Sequence, residues 1–284
     1  MRSMNRWSCI VSAFLALSLS PVMVQGQTTT AAKPAMLPPT PEQKQIMDAT
    51  NRQPADVAAP KLDLRTSMEG KPNANFGQID AGFKRQHESF LQRKQQPVGL
   101  VFLGDSITAG WGRAKDIWAE HYQKHDVANF GISGDRTQHV LWRIENGELD
   151  GISPKVVVLM IGTNNIGNHS ADQIAAGVTA IVQAIHTKLP NTKVLLLGIF
   201  PRVEKATDAR GNPNPTRVKL QQVNQAIAKL DDGKQTRYLE IWKQFLAEDG
   251  TLPKTIMPDS LHPNAQGYKI WADSMQPLLD EMMR

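Results

Sequence analysis

The chain has 284 residues, of which 21% are charged, and a formal net charge of +5 at pH 7. This small basic excess does not indicate a nucleic-acid-binding protein, in which a concentrated basic surface is expected. Cys9 is the only cysteine, and this excludes a disulfide framework and a cysteine zinc site.

The first 26 residues have the organisation of a secretory signal peptide. Arg2 and Arg6 precede an apolar stretch from Trp7 to Val24, and Gly26 is a small residue at the expected cleavage point. Cleavage there would lower Lys plus Arg from 32 to 30 against 27 Asp plus Glu, so the mature chain would carry about +3. We therefore expect a secreted or periplasmic protein.

The alternative is an uncleaved membrane anchor, because the apolar stretch approaches the roughly 20 residues that a membrane span needs. Ser18, Ser20 and Pro21 interrupt that stretch and favour cleavage. The same cleavage would remove Cys9.

Residues 27–74 are predicted to form a flexible leader, and residues 75–284 a single folded domain. The leader is rich in Thr, Ala and Gln, and its prolines are spaced too closely for stable helix or sheet. A domain of the remaining length can bury a full core.

The densest basic stretch of the chain is residues 84–94. Glu88, Phe90 and Leu91 interrupt it at helical spacing. It therefore predicts a helix with a solvated face rather than a nucleic-acid patch.

Five apolar runs in the domain predict strands, and the first of them is continuous, as in a buried parallel strand. The predicted strands are residues 98–103, 126–130, 155–161, 193–199 and 236–241.

Amphipathic segments between these runs predict helices. A helix over 170–189 would begin with a capping box formed by Ser170 and Gln173. Asn214 and Pro215 predict the start of the next helix. A last helix from about Asn264 is expected to bury four apolar side chains, which are Trp271, Met275, Leu278 and Met282. Strands and helices in alternation imply an α/β fold with a parallel sheet covered on both faces.

Three short polar motifs supply the chemistry. Gly104-Asp105-Ser106 follows the first strand, Gly162-Thr163-Asn164 follows the third, and Asp259-Ser260-Leu261-His262 precedes the last helix. A loop over residues 129–135, after the second strand, opens at the same edge. Parallel sheets bind ligands at the carboxyl ends of their strands, so we expect these segments to converge there.

The residue types of these motifs suit nucleophilic catalysis. A serine hydroxyl needs a base to take its proton, and histidine can take and return one near neutral pH. We predict Ser106 as the nucleophile, His262 as the base and Asp259 as the residue that orients it. Taken alone, Gly-Asp-Ser would more often be an ordinary turn.

Acyl transfer also needs donors for the oxygen that becomes negative. The candidates are the backbone N–H groups of Ser106 and Gly134 and the side-chain amide of Asn164. This scheme requires no metal or other cofactor. Asp-x-x-His could contribute to a metal site, but the sequence offers no second cluster of comparable spacing.

The order of these motifs resembles that of the SGNH hydrolases, also called the GDSL lipase and esterase family. The segment from Asn129 to Leu149, followed by residues 154–165 and Pro201-Arg202, is similar to the catalytic alpha subunits of intracellular platelet-activating-factor acetylhydrolase. The resemblance implies a flavodoxin-like three-layer α/β/α sandwich with a central five-stranded parallel sheet. It also implies the triad and oxyanion roles given above.

Two features depart from those relatives. Asn165 stands where family members often have aspartate, and the export signal has no counterpart in the cytosolic subunits. The relatives prefer short acyl groups. The candidate walls of a pocket sized for acetate are the residues that adjoin the nucleophile, the amide donor and the histidine, which are Ile107, Thr163 and Leu261. Ile107 and Leu261 could equally be ordinary core residues.

We therefore expect a serine esterase that removes a short acyl group, with acetate as the first candidate and a glycan or polysaccharide as one candidate substrate. A lysophospholipase or phospholipid acetylhydrolase is the alternative enzyme, and Trp111 is then the candidate for exposed apolar surface. An inactive binding module is a third reading, which the presence of all five site residues disfavours. We expect no nucleic-acid partner and no stable membrane insertion after cleavage, and a homodimer remains open.

Overall fold

The computed structural model describes residues 81–284. The predicted signal peptide (1–26), the predicted leader (27–74) and residues 75–80 of the predicted domain lie outside the described residues. Of the helices in the described part, none combines the length and apolar character that a bilayer span requires.

Five parallel strands form one sheet in the order β2-β1-β3-β4-β5. The strands are β1 (Leu100–Gly104), β2 (Val127–Gly131), β3 (Val156–Met160), β4 (Lys193–Leu197) and β5 (Thr236–Leu239). All five predicted strands are confirmed, with ends that differ by at most two residues. This strand order is that of the flavodoxin-like doubly wound fold, with a crevice beside β1 and β3 where the winding reverses.

Seven helices accompany the sheet in residues 81–284. They are α1 (Ala81–Arg93), α2 (Ser106–Ala109), α3 (Lys115–Tyr122), α4 (Thr137–Glu145), α5 (Ala171–Lys188), α6 (Pro215–Ile227) and α7 (Ala265–Met282). The basic stretch at 84–94 lies largely in α1, as predicted, with Phe83 and His87 as its buried residues.

The two faces of the sheet bury separate apolar layers, because successive side chains of a strand point to opposite faces. Val101 and Leu103 pack with α4, α5 and α6 on one face. Leu100 and Phe102 pack with α2, α3 and α7 on the other. The α/β/α sandwich expected from the sequence is therefore confirmed.

The predicted helix starts are confirmed by their caps. Ser170 Oγ accepts a hydrogen bond from Gln173 N at 3.2 Å, and Gln173 Oε1 accepts one from Ser170 N at 2.9 Å. Asn214 caps α6 with Pro215 as its first residue, and Asn264 caps α7. These side chains satisfy backbone donors that would otherwise lack partners at a helix start.

One detail of α7 was predicted wrongly. Leu279 is fully buried and Leu278 only partly, although Leu278 was expected in the core. The buried face runs through Tyr268, Trp271 and Met275. A residue four positions after Met275 continues that face, and this is Leu279.

Leu279→Ala should lower the free energy of unfolding by about 2 to 5 kcal/mol, because it leaves a cavity in the core. The adjacent Leu278→Ala is the matched control and should cost less than half as much. Urea denaturation of both variants measures the difference. Equal losses would contradict this assignment of the buried face.

Candidate active site

Gly104-Asp105-Ser106 forms the turn from β1 into α2. A Cβ on Gly104 would lie 2.2 Å from Thr108 Oγ1 and 2.4 Å from the Met160 carbonyl oxygen, so no side chain fits. Asp105 Oδ1 accepts a hydrogen bond from Ile107 N at 2.9 Å and caps the helix. Ser106 is therefore the first residue of α2, at the carboxyl edge of the sheet.

Ser106 is joined to a histidine and a carboxylate by consecutive hydrogen bonds. Ser106 Oγ lies 2.8 Å from His262 Nε2, and His262 Nδ1 lies 2.6 Å from Asp259 Oδ2. The structure thus brings together three residues that the sequence places on two distant segments.

A tight turn holds Asp259 in this arrangement. Its Oδ1 accepts hydrogen bonds from the backbone N–H groups of Leu261 at 3.0 Å and His262 at 2.7 Å, while Ser260 adopts a left-handed φ of 58°. Desolvation alone would raise the pKa of Asp259, but the hydrogen bonds from His262 and Leu261 outweigh it and lower that pKa. A carboxylate can only accept, so the proton sits on His262 Nδ1 and leaves Nε2 free to accept from Ser106.

Gly134 and Asn164, the predicted oxyanion donors, line the same cleft as Ser106 and His262. Gly134 has a φ of 78°, a conformation that favours glycine. A Cβ there would meet nothing within 4 Å, so φ, and not lack of space, accounts for the glycine. Asn164 Nδ2 donates one hydrogen bond to the Asp135 carbonyl oxygen at 2.8 Å, which fixes the amide. Its second N–H is a donor available to the cleft.

The cleft is open and has a volume of about 490 Å³. Its lining consists of Ser106, Ala109, Gly110, Arg113, Ser133, Gly134, Asn164, Leu261 and His262. Most of these side chains are small or polar. Leu261 is the one large apolar lining residue, and Arg113 is the one with a permanent charge.

Three expectations about the cleft are corrected. Leu261 lines it, but Ile107 and Thr163 do not. Ile107 is 1% exposed within the apolar layer beneath the cleft, and Thr163 is buried where its carbonyl oxygen accepts a hydrogen bond from Arg202. Trp111, the candidate for exposed apolar surface, is also 1% exposed, because it packs among the aromatic rings of that layer.

Comparisons with known proteins identify the family of the chain. Residues 102–270 match the model of the GDSL-like lipase/acylhydrolase family. The chain belongs to this family. It is 38% identical over 204 residues to the human platelet-activating factor acetylhydrolase IB subunit alpha1, covering 71% of this chain and 84% of that protein. These relationships make it a carboxylic ester hydrolase.

Solved structures of low sequence identity share the fold. One is a GDSL-like lipase from Bacteroides thetaiotaomicron, with 20% identity, a TM-score of 0.56 and coverage of 69% of this chain and 97% of that one. Another is a carbohydrate acetylesterase family member from Sinorhizobium meliloti, with 14% identity, a TM-score of 0.50 and coverage of 66% and 99%.

Sequence reasoning missed the state of Asp105 in this GDSL hydrolase. Asp105 is 1% exposed, and its Oδ2 has no hydrogen-bond partner among the described residues. Burial raises its pKa to about 7, with a smaller contribution from Asp135 in the same direction. The hydrogen bond from Ile107 and the charge of Arg202 only partly oppose this increase.

A buried ion cluster below the cleft was also missed. Arg143 is fully buried, and it donates from Nε to Asp135 Oδ2 at 3.0 Å and from Nη1 to Glu148 Oε1. Arg143 Nη2 lies 3.0 Å from the same Asp135 oxygen and 3.4 Å from the Gly104 carbonyl oxygen. Charged side chains are mostly exposed, so sequence alone gave no signal for this placement.

The hydrogen bonds of Asn165 account for an asparagine, and not an aspartate, at this position. Its Oδ1 accepts a hydrogen bond from Thr137 N at 3.1 Å, and its Nδ2 donates to Gln138 Oε1 at 2.9 Å. An amide supplies both an acceptor and a donor, whereas an ionised aspartate would supply acceptors only. Asn165 thus ties the segment that carries Asn164 to the start of α4.

Among residues 81–284 no group of three or more His, Cys, Asp or Glu side chains is placed to hold a metal ion.

Between pH 5 and pH 8, Asp105→Asn should lose less unfolding free energy than the parent protein does. The folded pKa of about 7 lies above the ordinary 3.8, so the folded state holds a proton that the unfolded state has lost. Stability from this group is therefore present below pH 4 and is lost as the pH rises towards 7. Asparagine keeps the acceptor for Ile107 N and does not ionise.

Urea denaturation of both proteins at pH 5 and pH 8 measures this change. Asp249→Asn is the matched control, because the pKa of that exposed aspartate is lowered by its hydrogen bonds to Thr251 and it stays ionised throughout this range. If the unfolding free energy of Asp105→Asn changed between pH 5 and pH 8 by as much as that of the parent, the raised pKa of Asp105 would be contradicted.

Proposed function

We propose that this GDSL hydrolase removes acetyl or similarly short acyl groups from water-soluble esters through an acyl-enzyme intermediate on Ser106. The observation that carries the proposal is the continuous chain of hydrogen bonds from Ser106 Oγ through His262 to Asp259, at 2.8 and 2.6 Å. A serine, a histidine and a carboxylate in this order can activate the hydroxyl for attack.

In the first half-reaction Ser106 Oγ attacks the ester carbonyl carbon while its proton moves to His262 Nε2. The carbonyl oxygen becomes negative and accepts hydrogen bonds from the N–H groups of Ser106, Gly134 and Asn164. The tetrahedral species then breaks its bond to the alcohol oxygen. His262 gives its proton to the departing alcohol, and the acyl group stays on Ser106.

In the second half-reaction water repeats the attack. His262 takes a proton from the water as its oxygen bonds to the acyl carbon. The bond to Ser106 Oγ then breaks, and the proton returns to the serine as the carboxylic acid leaves. Asp259 keeps the imidazole oriented and stabilises its charged form throughout.

The lining of the cleft favours a short acyl group. Burial of a methylene contributes about 0.8 kcal/mol only where apolar surface is present to receive it. Ala109, Gly110, Ser133 and Gly134 offer little such surface, and Leu261 alone cannot cover a long chain. The human relative is a subunit of an acetylhydrolase, which points to the same acyl group.

The alcohol half of the substrate would face the solvent-exposed opening of the cleft. Arg113 is exposed there, and Trp111, which could have contacted lipid, lies in the core. We therefore favour a soluble acetylated compound, with an acetylated glycan as one candidate that the fold shared with a carbohydrate acetylesterase family member also suggests. Export by the predicted signal peptide would place the enzyme where such substrates occur outside the cytoplasm.

An acetylated phospholipid is the second candidate, because the relative at 38% identity is a platelet-activating-factor acetylhydrolase subunit. The predicted export signal and the small or polar character of most cleft-lining residues argue against it.

Asn164→Ala should lower kcat for 4-nitrophenyl acetate by roughly 10² to 10³, as loss of an oxyanion donor does. Asn168→Ala, an exposed asparagine of the same loop, is the matched control and should leave kcat unchanged. Ser106→Ala provides the inactive baseline. A loss of less than about threefold in Asn164→Ala would remove it from the oxyanion role, since such donors have larger effects.

A substrate panel tests the acyl and alcohol preferences together. With 4-nitrophenyl acetate, butyrate and octanoate, kcat/KM should fall at least about tenfold from acetate to octanoate, since each poorly placed methylene costs about 1 to 3 kcal/mol. Acetate release should be faster from an acetylated xylan than from an alkyl-acetyl phosphatidylcholine, with Ser106→Ala as the blank. Faster release from the phospholipid would establish the second candidate, and activity in Ser106→Ala would reject the mechanism.

A further inference from the structure

A second buried guanidinium, on α6, lies beside the loop that supports the Asp259–His262 turn. Arg217 is 5% exposed, and no carboxylate lies within ion-pair distance of it in the described part of the chain. A buried charge without a counter-ion is expensive unless hydrogen bonds compensate it. Its partners therefore show what it is there to hold.

All of the hydrogen bonds of the Arg217 guanidinium go to backbone carbonyl oxygens of two loops. Nε donates to Arg202 O at 3.4 Å and to Val203 O at 3.2 Å. Nη2 donates to Val203 O and Glu204 O, both at 2.9 Å, and Nη1 to Gly250 O at 2.6 Å. One rigid planar group thus fixes three consecutive peptide units, which a lysine ammonium could not do with the same geometry.

The loop held in this way has a strained backbone. Val203 has a φ of 68°, and a β-branched residue in the left-handed region is an outlier. Such a conformation persists only where the surroundings enforce it, and it is concentrated at functional sites. Two hydrogen bonds from Arg217 to the Val203 carbonyl oxygen provide that enforcement.

The strained loop contacts both halves of the hydrolytic site. Val203 N donates to the Ser260 carbonyl oxygen at 3.0 Å, and Ser260 is itself left-handed between Asp259 and Leu261. On its other side, Arg202 Nη1 donates to the Thr163 carbonyl oxygen at 3.2 Å, next to Asn164. A shift of residues 202–204 would therefore move the turn that carries the histidine.

We propose that Arg217 is a positioning residue for catalysis. Its guanidinium locks residues 202–204 in a strained conformation, and Val203 in turn fixes the Asp259–His262 turn against Ser106. This inference rests on the proposed roles of Asp259 and His262. It predicts that Arg217 acts on kcat through the conformation of Val203, and not only on stability.

The test compares Arg217→Met, Val203→Gly and the double variant with 4-nitrophenyl acetate as substrate. Arg217→Met should lower kcat at least about tenfold with KM within about twofold, because misplacement of a catalytic group slows chemistry more than binding. Arg217→Lys should be intermediate. Val203→Gly alone should lower kcat less than Arg217→Met does, because glycine adopts a φ of 68° without a side-chain penalty.

The double variant is the decisive arm. Glycine at 203 removes the strain that the guanidinium has to oppose, so kcat should recover at least about threefold over Arg217→Met, a non-additivity expected of coupled residues. A residue that only stabilises the fold would show no such recovery. Ile185→Ala, a buried site on α5, is the stability control and should lower Tm with kcat unchanged.

Two results would overturn the proposal. One is a kcat within about twofold of the parent in Arg217→Met with a Tm loss like that of Ile185→Ala, since a positioning residue must affect the chemical step. The other is no recovery of kcat in the double variant. If Arg217→Met does not fold, Arg217→Lys and the double variant give the same comparison. Ser106→Ala distinguishes failure of the proposed mechanism from failure of the Arg217 proposal. If Ser106→Ala is active, the serine mechanism is rejected. If it is inactive, the Arg217 variants test the positioning role alone.

Discussion

The geometry of the site depends on the buried Arg143 guanidinium between Asp135 and Glu148. Removing one partner from a buried ion cluster typically costs about 3 to 5 kcal/mol, because the remaining charge is left without compensation. Here the cluster also fixes position. Arg143 lies 3.4 Å from the carbonyl oxygen of Gly104, just before the nucleophile, and binds the carboxylate of Asp135, whose backbone oxygen holds the Asn164 amide. One side chain therefore connects the loop after β1 with those after β2 and β3.

Two neighbouring carboxylates, those of Asp135 and Asp105, differ in their partners. Asp135 has a guanidinium at 3.0 Å, and its charge together with that of Glu148 raises the pKa of Arg143 even though burial alone would lower it. Asp105 has no such partner at its Oδ2, and burial raises its pKa. A protonated Asp105 would add no negative charge beside the nucleophile, where an oxyanion must form. Similar side chains at the end of one sheet thus contribute in different ways because their partners differ.

The sequence predicted most of the fold because its strands are continuous apolar runs and its helix starts carry recognisable caps, as at Ser170 and Asn214. It also predicted which residues the topology brings together, since the carboxyl ends of parallel strands share an edge. The sequence did not predict the buried polar residues beneath the cleft. Arg143 and Asp105 are polar residues in polar-looking segments, and only tertiary packing buries them. The positions of Trp111 and Ile107 could not be predicted, because residues that follow a nucleophile can line a cleft or fill the core. The direction in which each side chain leaves the helical segment decides between the two.

The separation of the nucleophile from its base along the chain has a consequence for biosynthesis. Ser106 and His262 are 156 residues apart, and the Asp259–His262 turn lies between β5 and α7. Tyr268 of that helix donates to the Ile107 carbonyl oxygen at 2.7 Å, so the last helix also braces the segment that follows the serine. A growing polypeptide therefore carries an unactivated hydroxyl until Asp259 and His262 have been synthesised. A product truncated before residue 259 would hold the serine without the group that activates it.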